Sequence, residues 1–213
     1  MSQQEGIVKF RLQFTQAPPM PFDKLREINA WRRILYLAQL IGQIPYGFGY
    51  GNISQRLEPF DAPEHQRRFV ISGTQTGWLA DLTEEHYATV LECYPDRNLI
   101  VAEGPIRPSS ESMTHGMLYA LDDSLRFAIH AHSPHIWHSA QALGIPITRE
   151  GVAYGTPEMA EEVRRLFQDT PAREYLIFAM GGHEDGVVSF GQTAEEAGTV
   201  LVSYLARAFQ LET

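Results

Sequence analysis

The sequence predicts an α/β protein in which a mixed, mostly antiparallel sheet lies between helices on both of its faces. Segments with the two-residue periodicity of strands interleave with segments that have the 3.6-residue periodicity of helices. Several neighbouring strand segments are joined by short loops, which suit antiparallel pairing because a parallel pair needs a long crossover. No repeat or interdomain linker interrupts the 213 residues. We therefore expect one domain over residues 1–213.

The chain is predicted to begin with a strand and a helix. Apolar and polar side chains alternate over residues 6–14, as they do in a half-buried strand. Residues 23–41 carry the apolar stripe of an amphipathic helix. Gly42 and Pro45 are typical of a helix end, so they should close it.

The next elements should be a hairpin, a helix and a short strand. Residues 53–57 and 68–71 are strand-like and flank a polar loop, which predicts an antiparallel pair. Thr83 is a good N-cap, so we expect a helix from there to about Glu92. Residues 98–101 are apolar and short enough for a strand.

The second half contains helices with recognisable first residues. Ser110 can cap a helix, Pro134 and Pro157 suit the first helical position, and Thr193 with Glu196 resembles a capping box. The remaining predicted elements are helices 111–121, 134–143, 157–167 and 194–210, and strands 126–132, 175–179 and 187–190.

Composition narrows the classes of function. The formal net charge is −9, from 17 basic and 26 acidic residues. This balance argues against nucleic acid as a partner, because binding a phosphate backbone requires a surplus of basic residues. The single cysteine, Cys93, fits a reducing compartment. The N-terminus is polar and no apolar run approaches membrane length, so we expect a cytoplasmic protein without a membrane partner.

Two histidines in the segment Ile129-His130-Ala131-His132 are the strongest chemical signal. On a strand they project from the same face. Two histidines on a polar sheet face would show the same pattern, so the pair alone does not decide the function. His183 follows another predicted strand in a glycine-rich segment, 181–186. A third imidazole there would complete a three-histidine site with an open position, typical of catalytic zinc. We expect one Zn²⁺, or another divalent transition metal, per chain.

Glu111 stands at the predicted start of a helix, and His115 lies one turn later on the same face. By itself a carboxylate at a helix start is ordinary, because the helix dipole favours a negative charge there. Beside a metal ion it becomes a candidate general base. A metal ion acidifies the carbon–hydrogen bond of a bound hydroxyketone, and as a Lewis acid it stabilises the resulting enediolate.

Five motifs occur in a specific order along the chain. They are Gly51-Asn52-Ile53-Ser54, Ile71-Ser72-Gly73-Thr74, Pro108-Ser109-Ser110-Glu111, His130-Ala131-His132 and His183. Together they resemble the class II aldolase/adducin superfamily over about residues 35–209. Each motif alone is weak, but their order is specific. The resemblance implies a three-layer α/β/α fold, to which residues 1–20 add an N-terminal strand extension.

The resemblance also implies roles for individual residues. In the phosphate-using members the matching segments cradle a substrate phosphate, at the positions of Asn52, Ser72, Gly73, Thr74, Ser109 and Ser110. Without the resemblance, most of these would be ordinary turn residues. The family's aldolases carry glutamate where Glu111 stands and its epimerases carry aspartate, so Glu111 favours lyase chemistry. His115 is expected to support the metal site without binding the ion.

Two features depart from the family pattern. The family's aldolases use one tyrosine after the H-x-H motif and another in a C-terminal tail, and no tyrosine of this chain matches either. His183 is followed by Glu184 and Asp185, where the family usually has glycine. Either carboxylate could replace the missing acid.

These features predict a metal-dependent lyase of the class II aldolase type, acting on a small hydroxy-carbonyl compound such as a sugar phosphate. A dehydratase, decarboxylase or epimerase of the same superfamily is the alternative enzyme. A non-catalytic assembly domain like the adducin head is the alternative from another class, although it predicts lost ligands. Active sites of the family lie at subunit boundaries in a ring of four, so we expect a homotetramer.

Overall fold

The computed structural model describes residues 9–44 and 47–212. The beginning of the predicted strand 6–14 and Pro45 lie outside this part of the chain. Within it, the strands in chain order are β1 (Arg11–Gln16), β2 (Gly42–Gln43), β3 (Gly49–Tyr50), β4 (Asn52–Arg56), β5 (Phe69–Ser72), β6 (Tyr87–Tyr94), β7 (Leu99–Gly104), β8 (Phe127–His132), β9 (Ile177–Ala179) and β10 (Gly186–Gly191).

Eight of these strands form one sheet in the order β1-β7-β6-β5-β4-β8-β10-β9, and β2 pairs with β3 in a separate ribbon. The edge strand β1 runs parallel to β7, and the other neighbours in the large sheet are antiparallel. The prediction of a mixed, mostly antiparallel sheet is therefore confirmed.

Helices cover both faces of this sheet. They are α1 (Arg26–Leu37), α2 (Ser112–Leu121), α3 (Pro134–Ser139), α4 (Pro157–Asp169), α5 (Ala172–Tyr175) and α6 (Ala194–Leu211). Successive residues of a strand belong to different hydrophobic cores. On β5, Ile71 packs in the core of α2 and α4, whereas its neighbour Val70 packs in the core of α1, α3 and α6. On β8, Ala128 and Ile129 divide between the same two cores. The three-layer arrangement follows, because successive strand residues point to opposite faces. None of the helices in the described part is long and apolar enough to cross a membrane.

The prediction of a helix from Thr83 to Glu92 is wrong. Thr83 caps only a short 3-10 turn, Glu84–His86, and the chain then continues as strand β6. Tyr87, Thr89 and Val90 have β-branched or aromatic side chains, which favour strands. Pairing with β5 on one side and β7 on the other outweighs the capping signal.

Other predicted elements are present with shifted ends. The first helix stops at Leu37, before the predicted Gly42, because Gln39 turns the chain with a positive φ of 59°. Helix α2 begins at Ser112, so Glu111 and not Ser110 occupies its N-cap position. Helix α3 ends at Ser139, four residues earlier than predicted. Strand β1 lies slightly later than the predicted 6–14 strand.

Candidate active site

The three predicted metal ligands lie together at one end of the sheet. His130 and His132 are on β8, and His183 is in the turn that joins β9 to β10. The ring centroids are 4.7 to 5.2 Å apart, and Nε2 of His132 lies 2.9 Å from Nε2 of His183. One nitrogen from each ring lies within 4.8 Å of the others, a spacing suitable for a single metal ion.

The antiparallel pairing of β8 with β10 brings these histidines together. His132 is the cross-strand partner of Gly186, at the start of β10 and three residues after His183. A Cβ atom at position 186 would lie 2.4 Å from Cδ2 of His183, so only glycine leaves room for that ring. The turn itself is closed by hydrogen bonds from the Met180 amide to the Gly186 carbonyl and from the Gly186 amide to the His183 carbonyl.

The environment of His130 and His183 favours neutral imidazoles. His130 is 1 % exposed, and neither of its ring nitrogens has a hydrogen-bond partner in the described part of the chain. Burial, followed by the neighbouring His132 and His183, lowers its pKa well below the usual value. Burial, then His132 and Lys9, lowers the pKa of His183 to about 3. Neutral imidazole is the form that binds metals.

This donor set fits a divalent transition metal. A buried imidazole without a partner is costly in an apolar interior, and a metal ion would satisfy it. Three nitrogen ligands are typical of catalytic sites, which leave a position open for water or substrate. Imidazole suits zinc and also copper, iron and nickel, so the ligands alone do not identify the ion.

Glu111 occupies the N-cap position of α2 and faces the same cleft as His130 and His183. It is 2 % exposed, and its Oε2 accepts a hydrogen bond from the hydroxyl of Thr114 at 2.7 Å. The start of a helix carries a partial positive charge, which stabilises a carboxylate there. The structure thus places a carboxylate in the same cleft as His130 and His183.

Most of the predicted phosphate-binding residues line this cleft. These are Asn52, Gly73, Thr74, Ser109 and Ser110. Ser72 is the exception: its hydroxyl accepts a hydrogen bond from the Ile53 amide, which ties β5 to β4.

A buried arginine holds the loop that supplies part of the cleft. Arg32 of α1 is 2 % exposed and donates hydrogen bonds to the carbonyls of Thr76, Gly77 and Ala80, each at 3.0 Å, and to that of Leu79. Gly77 lines the cleft, so Arg32 positions one of its walls from the opposite side of the loop. No pattern in the sequence predicts this role for Arg32.

His115 is fully buried and does not line the cleft. Its Nδ1 is 2.6 Å from the hydroxyl of Ser54, which in turn is 2.7 Å from the hydroxyl of Tyr119. Burial lowers the pKa of His115 to about 3. It also contributes to the lowered pKa of His130. The supporting role expected for it stays a prediction.

Two residues of the site were missed by sequence analysis. Tyr154 is 1 % exposed and lines the cleft, with its ring centroid 4.6 Å from that of His183. The ammonium of Lys9 lies over the Tyr154 ring, 3.7 Å from its centroid. The suggested replacement acids lie elsewhere: Glu184 is exposed, and Asp185 lines a neighbouring groove.

The sequence also matches a known family over most of its length. Residues 46–212 match the class II aldolase and adducin N-terminal domain. The match covers far more than half of the chain, and this chain belongs to that family. Among curated proteins, no match was found.

Solved structures show the same fold. The L-fuculose-1-phosphate aldolase of Thermus thermophilus is 20% identical and has a TM-score of 0.60, with 86% of this chain and 89% of that chain covered. The sugar-phosphate aldolase of Thermotoga maritima is 17% identical with a TM-score of 0.64, covering 89% and 93%. The N-terminal class II aldolase domain of a conserved protein from Thermoplasma acidophilum is 14% identical with a TM-score of 0.60, covering 92% and 97%. At these identities the likeness concerns the fold alone.

Proposed function

We propose that the protein is a metal-dependent lyase that makes or breaks a carbon–carbon bond beside the carbonyl of a small hydroxy-carbonyl compound. The observation that carries this proposal is the shared cleft, in which the Glu111 carboxylate stands with His130 and His183. A three-histidine cluster alone would suit many metalloenzymes. The added buried carboxylate supplies a group that can accept or return a proton.

His130, His132 and His183 would hold the ion. A divalent transition metal there would supply Lewis-acid stabilisation of the negative charge that develops on a substrate's carbonyl oxygen. Glu111 would move the proton of the neighbouring carbon. Its hydrogen bond from Thr114 orients the carboxylate through Oε2. Because Glu111 is buried, the proton transfer would take place away from bulk water.

The polar wall of the cleft supports a phosphorylated substrate. Ser109 and Ser110 lie just before α2, where backbone amides and the helix dipole favour an anion. Asn52, Gly73 and Thr74 line the same space. The fold relatives described as fuculose-phosphate and sugar-phosphate aldolases support the same substrate class.

A dehydratase of the same superfamily is the second candidate. The segment Ser72-Gly73-Thr74-Gln75-Thr76-Gly77 resembles the dehydratase pattern more than the aldolase one. Gln75 and Gly77 both line the cleft, so this difference lies at the site itself. Both reactions would use Glu111 for proton transfer at the carbon beside the carbonyl: in dehydration it removes the proton first, and in cleavage it returns a proton there after the carbon–carbon bond breaks. Product analysis separates them, because a lyase yields two carbonyl fragments and a dehydratase yields water and one product.

Solvent exchange tests the proposed role of Glu111. Metal-loaded protein would be incubated in deuterated buffer with a panel of hydroxyketones and their phosphate esters, such as dihydroxyacetone and its phosphate, and followed by proton NMR. The wild type should exchange the hydrogen next to the carbonyl in at least one compound. Glu111→Gln should keep its metal and exchange about 10²–10⁴-fold more slowly, because an amide cannot accept the proton.

Glu184→Gln makes the same chemical change at an exposed position outside the cleft and is the matched control. It should leave exchange unchanged. Loss of metal from Glu111→Gln would show that Glu111 is a ligand and not a base. Equal exchange by wild type and Glu111→Gln would refute the proposed mechanism.

A further inference from the structure

The N-terminal strand brings a positive charge to the edge of the candidate active site. We propose that Lys9 is a substrate-binding residue, whose ammonium binds an anionic group, carboxylate or phosphate, of the molecule that enters the cleft. This inference rests on the proposed function and specifies its substrate class. The residue lies in the extension that precedes the family match, which begins at residue 46.

The backbone of Lys9 is held in place by β7 and its preceding turn. The Asn98 side-chain amide donates a hydrogen bond to the Lys9 carbonyl at 3.1 Å, and the Arg11 amide donates one to the Asn98 carbonyl at 2.8 Å. Phe10 is buried in the core beside α2 and α4. Arg11 then begins the parallel pairing with Leu99. These contacts fix the point from which the Lys9 side chain extends.

The Lys9 side chain ends on a residue of the cleft wall, Tyr154. Its ammonium lies 3.7 Å from the centroid of the Tyr154 ring, a distance typical of a cation–π contact. Tyr154 in turn packs against His183 and lines the cleft. The Lys9 ammonium and the His183 ring thus both contact Tyr154, so Lys9 lies near a proposed metal ligand.

An anionic substrate would need such a charge here. The chain carries a net charge of −9, and the residues lining the described cleft include no lysine or arginine. Glu111 adds a further negative charge inside it. The polar wall of hydroxyls and amides can accept an anion but does not neutralise it. The Lys9 ammonium beside Tyr154 would offset this repulsion and add a charge-assisted hydrogen bond to the anion, which is about twice as strong as a neutral one.

Direct binding measurements on the metal-loaded protein test this assignment. The probes are inorganic phosphate, glycolate and 2-phosphoglycolate, titrated by calorimetry into wild type, Lys9→Met and Lys9→Arg. The chain contains only one other lysine, Lys24, which is exposed near α1. Lys24→Met makes the same charge change outside the cleft and is the matched control.

We expect Lys9→Met to weaken binding of 2-phosphoglycolate about tenfold to a hundredfold, as loss of a charge-assisted hydrogen bond implies. Lys9→Arg should restore most of the affinity, and Lys24→Met should match the wild type. Weaker binding of inorganic phosphate as well would assign Lys9 to a phosphate. An effect restricted to glycolate and 2-phosphoglycolate would assign it to a carboxylate.

Chemical labelling of lysines in the wild-type protein gives a second measurement that needs no variant. Reductive methylation followed by peptide mass spectrometry reports each lysine separately, and 2-phosphoglycolate should protect Lys9 but not Lys24. The proposal would be overturned if Lys9→Met bound the anions as tightly as the wild type and 2-phosphoglycolate left the labelling of Lys9 unchanged. It would also be overturned if the wild type bound none of the three anions. If Lys9 only neutralised the charge of Glu111 and did not contact the substrate, the affinity of Lys9→Met for the anions would likewise equal that of the wild type.

Failure of the proposed function would look different. Solvent exchange would then be absent from the wild type although anions still bound in a Lys9-dependent manner. Metal content and unfolding temperature, measured for each variant, show whether Lys9→Met remains folded and loaded.

Discussion

Asn52 and His130 stand directly opposite each other in the antiparallel pair of β4 and β8. Side chains of such partners project from the same face of a sheet. Oδ1 of Asn52 and both ring nitrogens of His130 are buried without a hydrogen-bond partner in the described part of the chain. Both residues line the cleft. Two adjacent buried groups of this kind are suited to bind a ligand and an ion.

Replacing Asn52 should separate ligand binding from metal binding. In Asn52→Ala, the three histidines keep their positions, so metal content should equal that of the wild type. Binding of inorganic phosphate or 2-phosphoglycolate should weaken by about 1–3 kcal/mol, the usual cost of losing a buried hydrogen-bond partner. Calorimetry on the metal-loaded protein measures this.

Ser72→Ala is the control for Asn52→Ala, because the Ser72 hydroxyl binds the Ile53 amide and does not line the cleft. It should cost stability but leave the affinity for the anions unchanged. Stronger loss of affinity in Ser72→Ala than in Asn52→Ala would reverse the assignment of these two residues.

Each histidine of the cluster should be required for metal binding. We expect purified protein to contain close to one zinc or similar divalent ion per chain, measured by mass spectrometry of the metal. His130→Ala, His132→Ala and His183→Ala should each lose it, because two remaining ligands hold an ion weakly. His138→Ala is the control, since His138 is exposed on α3. Full metal content in His183→Ala would remove that residue from the site.

Local patterns were sufficient to predict much of this site. The H-x-H spacing predicted a strand with both imidazoles on one face, and β8 has this form. Glu111 was expected at the start of α2, and it is the N-cap residue there. Both predictions depend on geometry within a few residues, which periodicity determines.

Contacts between distant segments could not be predicted in this way. Lys9 and Tyr154 meet only because β1 pairs with β7 at the sheet edge, and no local pattern reports that pairing. The role of Arg32 could not be predicted from local patterns either, since its hydrogen-bond acceptors are carbonyls about 45 residues away in sequence. The segment after Thr83 shows the opposite error: a real capping signal was present, but pairing on both sides made the segment a strand.

A groove beside the histidine cluster exposes apolar side chains. It is lined by His132 and Asp185 and by the apolar residues Ala38, Ile44, Leu205 and Phe209. Phe209 is 44% exposed, and burial of such apolar surface between subunits would stabilise an oligomer.

We propose that the chain assembles as a cyclic homotetramer, the state that the family resemblance implies. Light scattering at micromolar concentration measures the mass directly. Phe209→Asp should shift the population to smaller species, because it places a charge in the groove. Ile147→Asp is the control, as Ile147 is 40% exposed outside the groove. A monomeric wild type would remove the basis for a shared site.

Glu162 connects α4 to the segment that supports the His183 turn. Its carboxylate accepts hydrogen bonds from the Arg149 amide at 2.8 Å and from the Arg165 guanidinium at 2.9 Å, and it is only 4% exposed. One residue before Arg149, the Thr148 hydroxyl accepts a hydrogen bond from the Gly181 amide at 2.9 Å. Glu162 therefore helps to hold the strand end that precedes His183.

The stability that Glu162 contributes should depend on pH. The Arg165 hydrogen bond, opposed by burial and reinforced by the Arg149 amide, lowers the pKa of Glu162 in the folded protein. A lowered folded pKa means that the stabilisation is complete above the unfolded value, about 4.3, and is lost as pH falls through the folded value. Glu162→Gln should thus lower the free energy of unfolding by about 1–3 kcal/mol at pH 7.

Urea unfolding of both proteins between pH 3 and pH 7 measures the difference, which should shrink below about pH 4 as the wild-type carboxylate is protonated. Glu161→Gln is the matched control. Its ion pair with Arg164, at 3.4 Å, is exposed, and such pairs contribute little. A difference between wild type and Glu162→Gln that stays constant from pH 7 to pH 3 would show that packing of Glu162, and not its charge, holds this segment against the His183 turn.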